Sequence, residues 1–188
     1  MQLALSAVAA TMPDRPQLRF RRATVDTRPG AVLAQAMRAE IAVLYDGLEL
    51  DGDSMPKAGP AELSPPGGAF LVGWHGEQPA WCGGVKRLDA RVCEIKKMYV
   101  VPALRGKGVA RRLLGALEDC ARGLGYERAR LDTGPKRLSA RGLYESEGYA
   151  EIEDFNGNPV AVFWGEKPLL PGAQERSVDR GCGERPAP

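Results

Sequence analysis

Two glycines and four cationic side chains crowd positions 105 to 112, Arg-Gly-Lys-Gly-Val-Ala-Arg-Arg. A β-prone apolar run, Met98 to Val101, leads into this segment and Pro102 ends it. From Val109 onward, Ala110, Leu113, Leu114, Leu117, Ala121 and Leu124 fall at helical spacing until Gly125 stops them. The pattern predicts strand, turn and helix. Glycines at 106 and 108 let backbone N–H groups approach a ligand that a Cβ would hold off. Those amides open a helix, whose unpaired donors and positive dipole end favour a phosphate or pyrophosphate. Arg105, Lys107, Arg111 and Arg112 add cationic reach, so the chemistry implied is the holding of a polyanion.

Two common phosphate loops are excluded by the spacing. A Walker A loop needs Ser or Thr after its lysine, where this chain has Gly108, and its first glycine position is Val101. A dinucleotide fingerprint needs a third glycine where Arg111 stands, counting from Gly106.

The elements around this seat can be read in order. Residues 17 to 25 alternate Leu18 and Phe20 with arginines and predict a first strand. Residues 31 to 45 carry Leu33, Met37, Ile41 and Leu44 on one side and predict a helix packed on a sheet. A Pro-, Gly- and acid-rich loop follows at about 48 to 68; Glu49, Asp51, Asp53 and Glu62 are either a lure for a cationic ligand or ordinary solvated charges. Strands are expected at 69 to 74, 78 to 88 and 91 to 101 as an antiparallel meander, with Gly83-Gly84 marking a bulge or a close backbone approach. After the central helix come a short strand at 128 to 131, a helix at 136 to 147 stopped by Gly148, and a hairpin of 149 to 155 with 160 to 166 around Asn-Gly-Asn-Pro.

At 188 residues, with 44% hydrophobic and 27% charged residues, the chain suits one globular domain, and a net charge of +2 argues for no nucleic-acid partner. We expect disorder at 1–16, a folded domain over 17–168 and a disordered tail at 169–188. No stretch is long enough for a membrane-spanning helix, so no membrane partner is expected. The four cysteines, at 82, 93, 120 and 182, form no Cys-x-x-Cys pair, and His75 is the sole histidine. Neither a metal site nor a disulfide framework is indicated, and a reduced, cytoplasmic setting fits. Trp74, Trp81 and Trp164 read as core or sheet-face aromatics.

Arg105, Gly108 and Ala110 match the arginine, two residues, glycine, one residue, glycine-or-alanine signature of the GNAT superfamily of acyl-CoA-dependent N-acetyltransferases. The preceding Met98-Tyr99-Val100 and the later Leu143-Tyr-Glu-Ser-Glu-Gly-Tyr149 also resemble that family, in order and spacing, over roughly residues 18 to 168. The resemblance implies an α+β fold: a mostly antiparallel mixed sheet of about six to seven strands with helices on both sides. It implies acetyl-CoA as co-substrate and no metal, direct transfer to an amine-bearing acceptor, and admits a homodimer. A small molecule is the acceptor expected, with a protein or peptide amine, or a non-catalytic acyl-CoA sensor, as alternatives.

Cofactor-binding residues follow from the same resemblance: Met98, Tyr99 and Val100 for the pantetheine arm, and Arg105, Gly106, Lys107, Gly108, Val109 and Ala110 for the pyrophosphate. A main-chain N–H near Met98 or Val100 would polarise the thioester carbonyl. Tyr144 aligns with the family's general-acid tyrosine, and a phenol protonated at neutral pH can donate to a departing thiolate. Glu94 is the candidate base, because strict alternation puts Glu94, Lys96, Met98 and Val100 on one face; the competing reading is an ion pair with Lys96 or a neighbouring strand's lysine. Where the family often has asparagine, seven residues before Tyr144, this chain has Arg137.

Overall fold

The computed structural model describes residues 19–169. Its elements run β1 (Arg19–Ala23), α1 (Gly30–Leu44), β2 (Ala69–His75), β3 (Gln78–Arg87), β4 (Val92–Val100), α2 (Val109–Gly123), β5 (Arg128–Thr133), α3 (Leu138–Ser146), β6 (Ala150–Glu151) and β7 (Phe163–Pro168). The strands form one sheet in the order β1-β2-β3-β4-β5-β7-β6. Every neighbouring pair is antiparallel except β4 with β5, which is parallel. The segment expected at 1–16 and the tail beyond Leu169, Cys182 included, lie outside the described residues. Leu169, the last described residue, is buried and its N–H donates to Glu127 O.

Each face of the sheet carries its own core. Leu113, Leu114, Leu117 and Ala121 of α2 pack with Val85, Cys93 and Ile95 on one side. On the other, Leu33, Ala34 and Met37 of α1 pack with Phe70, Val72 and Cys82. The helical spacing read from the sequence is therefore the spacing of buried side chains. The glycines of β3 allow the close approach: a Cβ at Gly83 would stand 2.6 Å from Leu117 Cδ1, and one at Gly84 2.7 Å from Leu63 Cδ2.

A bulge interrupts β4. Lys96 pairs with Gly84 and Tyr99 with Cys82, leaving Lys97 and Met98 opposite Gly83 alone, and Lys97 takes a left-handed backbone with φ 54°. The extra residue breaks strict alternation. Before it, Cys93 and Ile95 face the α2 side; after it, Met98 and Val100 do, while Tyr99 joins the α1-side core. Glu94 therefore does not share a face with Met98 and Val100, which corrects the alternation expected for this strand.

The closing hairpin also differs. β6 is two residues long, and residues 152 to 162 form a loop. Asn156 and Asn158 turn their amides inward to the carboxylates of Glu94 and Asp132, and Trp164 Nε1 donates to Asn156 Oδ1 at 3.1 Å. Residues that read as turn formers are recruited as donors to buried charge.

A second buried charge locks α2 to β7. Glu118, 4% exposed, accepts from Lys167 Nζ at 2.9 Å through both oxygens and from Tyr149 Oη at 3.1 Å. Burial and that carboxylate drive the Tyr149 phenol far above its ordinary range. Replacing Glu118 with Ala strands the Lys167 ammonium, and urea unfolding should show a loss of about 3 kcal/mol. The pair Glu118→Leu with Lys167→Met should restore most of it. An unchanged midpoint for Glu118→Ala would mean that the cluster adds nothing to stability.

Candidate active site

The parallel pair β4 and β5 holds together only at its start. Val92, Cys93 and Glu94 pair with Arg128, Ala129 and Arg130, and the pairing then ends although both strands continue. From Ile95 to Tyr99 the β5-facing edge of β4 is thus open, with backbone donors and acceptors that an extended ligand could match. The opening leads into a cleft of about 560 Å³.

The N-terminus of α2 borders the same cleft. Gly108 is its N-cap, in the left-handed region at φ 75°, and no side chain caps the helix. Gly106, at φ 72°, precedes it in the loop. The first helical N–H groups therefore face the cleft without side-chain partners. Met98, Tyr99, Val100, Arg105, Gly106, Gly108, Val109 and Ala110 all line it. Lys107 does not; its Nζ donates to Ala103 O outside.

Arg105 braces the loop. Its Nε donates to Val100 O at 2.8 Å, its guanidinium lies over the Tyr99 ring at 5.5 Å, and Nη2 meets Glu40 of α1 at 2.6 Å. Its first task in this structure is to fix the strand end against the helix start. Arg111 ties α2 to the end of α3 through Glu147 at 2.6 Å and Ser146 at 3.1 Å.

Tyr144 projects from α3 into the cleft, 8% exposed, with its ring against Tyr149 and its hydroxyl 3.9 Å from Met98 Sδ. Burial pushes the phenol up to about 12, the Asp132 carboxylate adds to the rise, and Arg137 opposes it. The hydroxyl is thus protonated, and a thioether is its partner.

Glu94 lies beneath the cleft and not in its lining. It is fully buried; Oε1 accepts from Lys96 at 3.0 Å and from Asn156 at 2.6 Å, and Oε2 faces Lys86 at 3.4 Å without hydrogen-bond alignment. The ion-pair reading of this residue is the one the geometry takes.

Asp132 occupies the position facing the cleft that sequence reasoning missed. Lys96 donates to it at 2.7 Å, Asn158 at 3.0 Å, and Asn156 shares the same oxygen as Lys96. The Lys96 ammonium is held above its usual range by Asp132 and Glu94 against the opposing effect of burial. Asp132 reads in sequence as the start of an Asp-Thr-Gly-Pro turn; its signal was alternation, because it sits between buried Leu131 and Thr133 on the polar side of β5. Lys97 and Arg137 also line the cleft.

The acidic loop plays a different part from a lure. Asp51 pairs with Arg38 and Lys97, Asp53 with Lys57, and Glu62 accepts the Gly59 N–H; with Glu49, none of the four lines the cleft. Cys82 and Cys93 are buried thiols pushed up to about 12 by desolvation, unsuited to nucleophilic work. Among the described residues no group of three or more His, Cys, Asp or Glu could hold a metal ion, and no helix is long and apolar enough to cross a membrane.

Known proteins share sequence and fold with this chain. The family model of the acetyltransferase (GNAT) family matches residues 36–149. A Bacillus subtilis (strain 168) protein named as the uncharacterized N-acetyltransferase YsnE is 37% identical over 120 residues, covering 61% of this chain and 80% of its own. Among solved structures, a putative acyl-CoA N-acyltransferase from Klebsiella pneumoniae superposes with a TM-score of 0.67 at 23% identity, over 82% of this chain and 99% of that one. A GNAT family acetyltransferase from Elizabethkingia anophelis with acetyl-CoA bound superposes with a TM-score of 0.57 at 14% identity, over 82% and 99%. With the open edge of β4 and the uncapped start of α2 in one cleft, and the family model spanning both, this chain belongs to the acetyltransferase (GNAT) family.

Proposed function

We propose that the protein transfers the acetyl group of acetyl-CoA directly to the amine of a small-molecule acceptor. The observation that carries this reading is one continuous cleft joining three parts: an uncapped helix N-terminus, an open strand edge, and an apolar pocket walled by α1 and the 45–68 loop. The acetyl-CoA bound in the Elizabethkingia anophelis structure supports the choice of donor. Met55 and Leu63 anchor the loop in the interior, giving a closed wall suited to a small acceptor better than to a long peptide.

Acetyl-CoA supplies a thioester whose carbonyl carbon the neutral amine attacks, so that a C–N bond forms as the C–S bond breaks. The N–H groups of Gly108, Val109 and Ala110 hold the pyrophosphate, and the free edge of β4 pairs with the pantetheine arm. A main-chain N–H at the Met98 to Val100 end stabilises charge developing on the carbonyl oxygen. Tyr144 gives its proton to the leaving thiolate. Asp132 accepts hydrogen bonds from the incoming amine and takes its proton directly or through a water, while Glu94 acts at one remove by holding Lys96 and Asn156 in place.

Gly108→Val tests the donor seat. A β-branched residue at φ 75° is strained, and its side chain enters the space where the anion would rest. Calorimetry should show acetyl-CoA affinity falling at least ~100-fold with the circular dichroism of the fold retained. Undiminished affinity would move the pyrophosphate elsewhere.

For the leaving group, Tyr144→Phe should lower kcat by about 100-fold, with little change in KM for acetyl-CoA. Because burial raises this phenol to about 12, its neutral, proton-donating form persists across the ordinary assay range. The rate should then rise with pH as the acceptor amine loses its proton, with no falling limb below about pH 11. A Phe variant that keeps the wild-type kcat, or a falling limb near pH 10 that the Phe variant abolishes, would contradict the assignment.

A further inference from the structure

Ion pairs fringe the cleft, and they share an orientation. Lys97 pairs with Asp51, Arg105 and Arg137 with Glu40, Lys96 with Glu94, and Arg111 with Glu147; in each the cation lines the cleft and the carboxylate does not. Asp132 is the one carboxylate in the lining among the described residues. The interior field is therefore positive. Arg105 and Arg111 stand at the α2 end, beside the donor seat. Lys97 reaches instead toward the other wall, where its partner belongs to the 45–68 loop, and Arg137, at the start of α3, shares Glu40 of α1 with Arg105 and so stands between the two ends.

These two side chains have donors to spare. Lys97 is 8% exposed, and Asp51, its carboxylate partner at 3.3 Å, is a half-exposed residue already shared with Arg38. Arg137 makes one contact of 3.3 Å to Glu40, and its Nε is buried with no hydrogen-bond partner. A buried donor left unmatched is costly, and an anionic group on the acceptor would satisfy it. Between them and the loop the wall is apolar, formed by Met37, Ile41, Leu48, Leu50 and Met55.

Resting on the acetyl-transfer reading above, we propose that the acceptor is a free amino acid with an apolar side chain. Its carboxylate meets Lys97 and Arg137, its side chain lies on the α1 and loop wall, and its α-amine turns toward Asp132 and the open edge of β4. The amine nitrogen forms the new bond to the acetyl carbon and loses one proton; the departing thiolate gains one; the products are the N-acetylated amino acid and free CoA thiol. An amine and a carboxylate on one carbon identify a free amino acid, because neither end of a peptide carries both.

The test uses the full chain. Acetyl-CoA binding is measured first by calorimetry, and thiol release is then followed with leucine, methionine and phenylalanine, each beside its carboxamide and its decarboxylated amine. The acids should exceed their carboxamides at least tenfold in kcat/KM, even though the carboxamide's amine is less basic and more often neutral. Lys97→Met, and separately Arg137→Gln, should raise KM for the acid at least tenfold and leave KM for the carboxamide unchanged. Carboxamides or simple amines that serve as well as the acids, or turnover confined to peptides, would overturn the acceptor assignment while leaving acetyl transfer standing. Failure to bind acetyl-CoA would overturn the acetyl-transfer reading and this one with it. The comparison on the unaltered protein decides the matter even if a variant does not fold.

Discussion

Everything at the cleft depends on the parting of β4 from β5 after the Glu94 and Arg130 pair. Parallel neighbours in a buried sheet normally stay paired, because each separated residue leaves a backbone donor and acceptor to be satisfied elsewhere. Here the separation is held open by charge. Lys96 spans the gap to Asp132 at 2.7 Å, Glu94 sits fully buried at the apex, and Asn156 and Asn158 close the set from the loop before β7. Apolar side chains would let the strands close. A cluster of two lysines, two carboxylates and two amides keeps its members hydrated by one another, and so keeps its volume.

That arrangement explains why Glu94 is a supporting residue. A buried carboxylate with two lysines and an amide around it balances their charge and fills their hydrogen-bonding needs. Removing it would leave two ammonium groups facing each other below the cleft. The open backbone and the inward cations then act together: one offers directional hydrogen bonds to an extended arm, the other a positive field that draws anions to it. Both suit a polyanionic donor such as an acyl-CoA.

Much of this was legible from the chain. The strand, glycine turn and amphipathic helix from Met98 to Leu124 announced their arrangement, because helix periodicity and positive-φ glycines are local properties. Tyr144 was legible only through its place in the family-like Leu-Tyr-Glu-Ser-Glu-Gly-Tyr run. What the sequence hid was non-local. Asp132, Asn156 and Asn158 look like turn residues, and nothing in their spacing shows that Asp132 meets Lys96 or that both asparagines donate to the carboxylates around that lysine. The acids of the 45–68 loop look like a lure until their partners, Arg38, Lys57 and Lys97, come into view. Gly83-Gly84 was expected to mark a bulge or a close backbone approach; both occur there, but the extra residue falls on the opposite strand, so its effect on which side chains face the cleft could not be read from β3.

That single inserted residue sets much of the chemistry of the cleft. Under strict alternation Lys97 would follow Cys93 and Ile95 onto the α2 side, into the apolar core packed by Leu113, Leu114 and Leu117, while Met98 would turn away from Tyr144. With Lys97 in the left-handed region, its side chain joins the α1 side and meets Asp51, and Met98 stands under the Tyr144 hydroxyl. Gly83 accommodates the distortion, because only a residue without a Cβ leaves room for Leu117 where β3 faces two residues of β4. The bulge thus does two things that a regular strand could not do at once: it places a thioether beside the phenol and turns a cation toward the α1 side of the cleft.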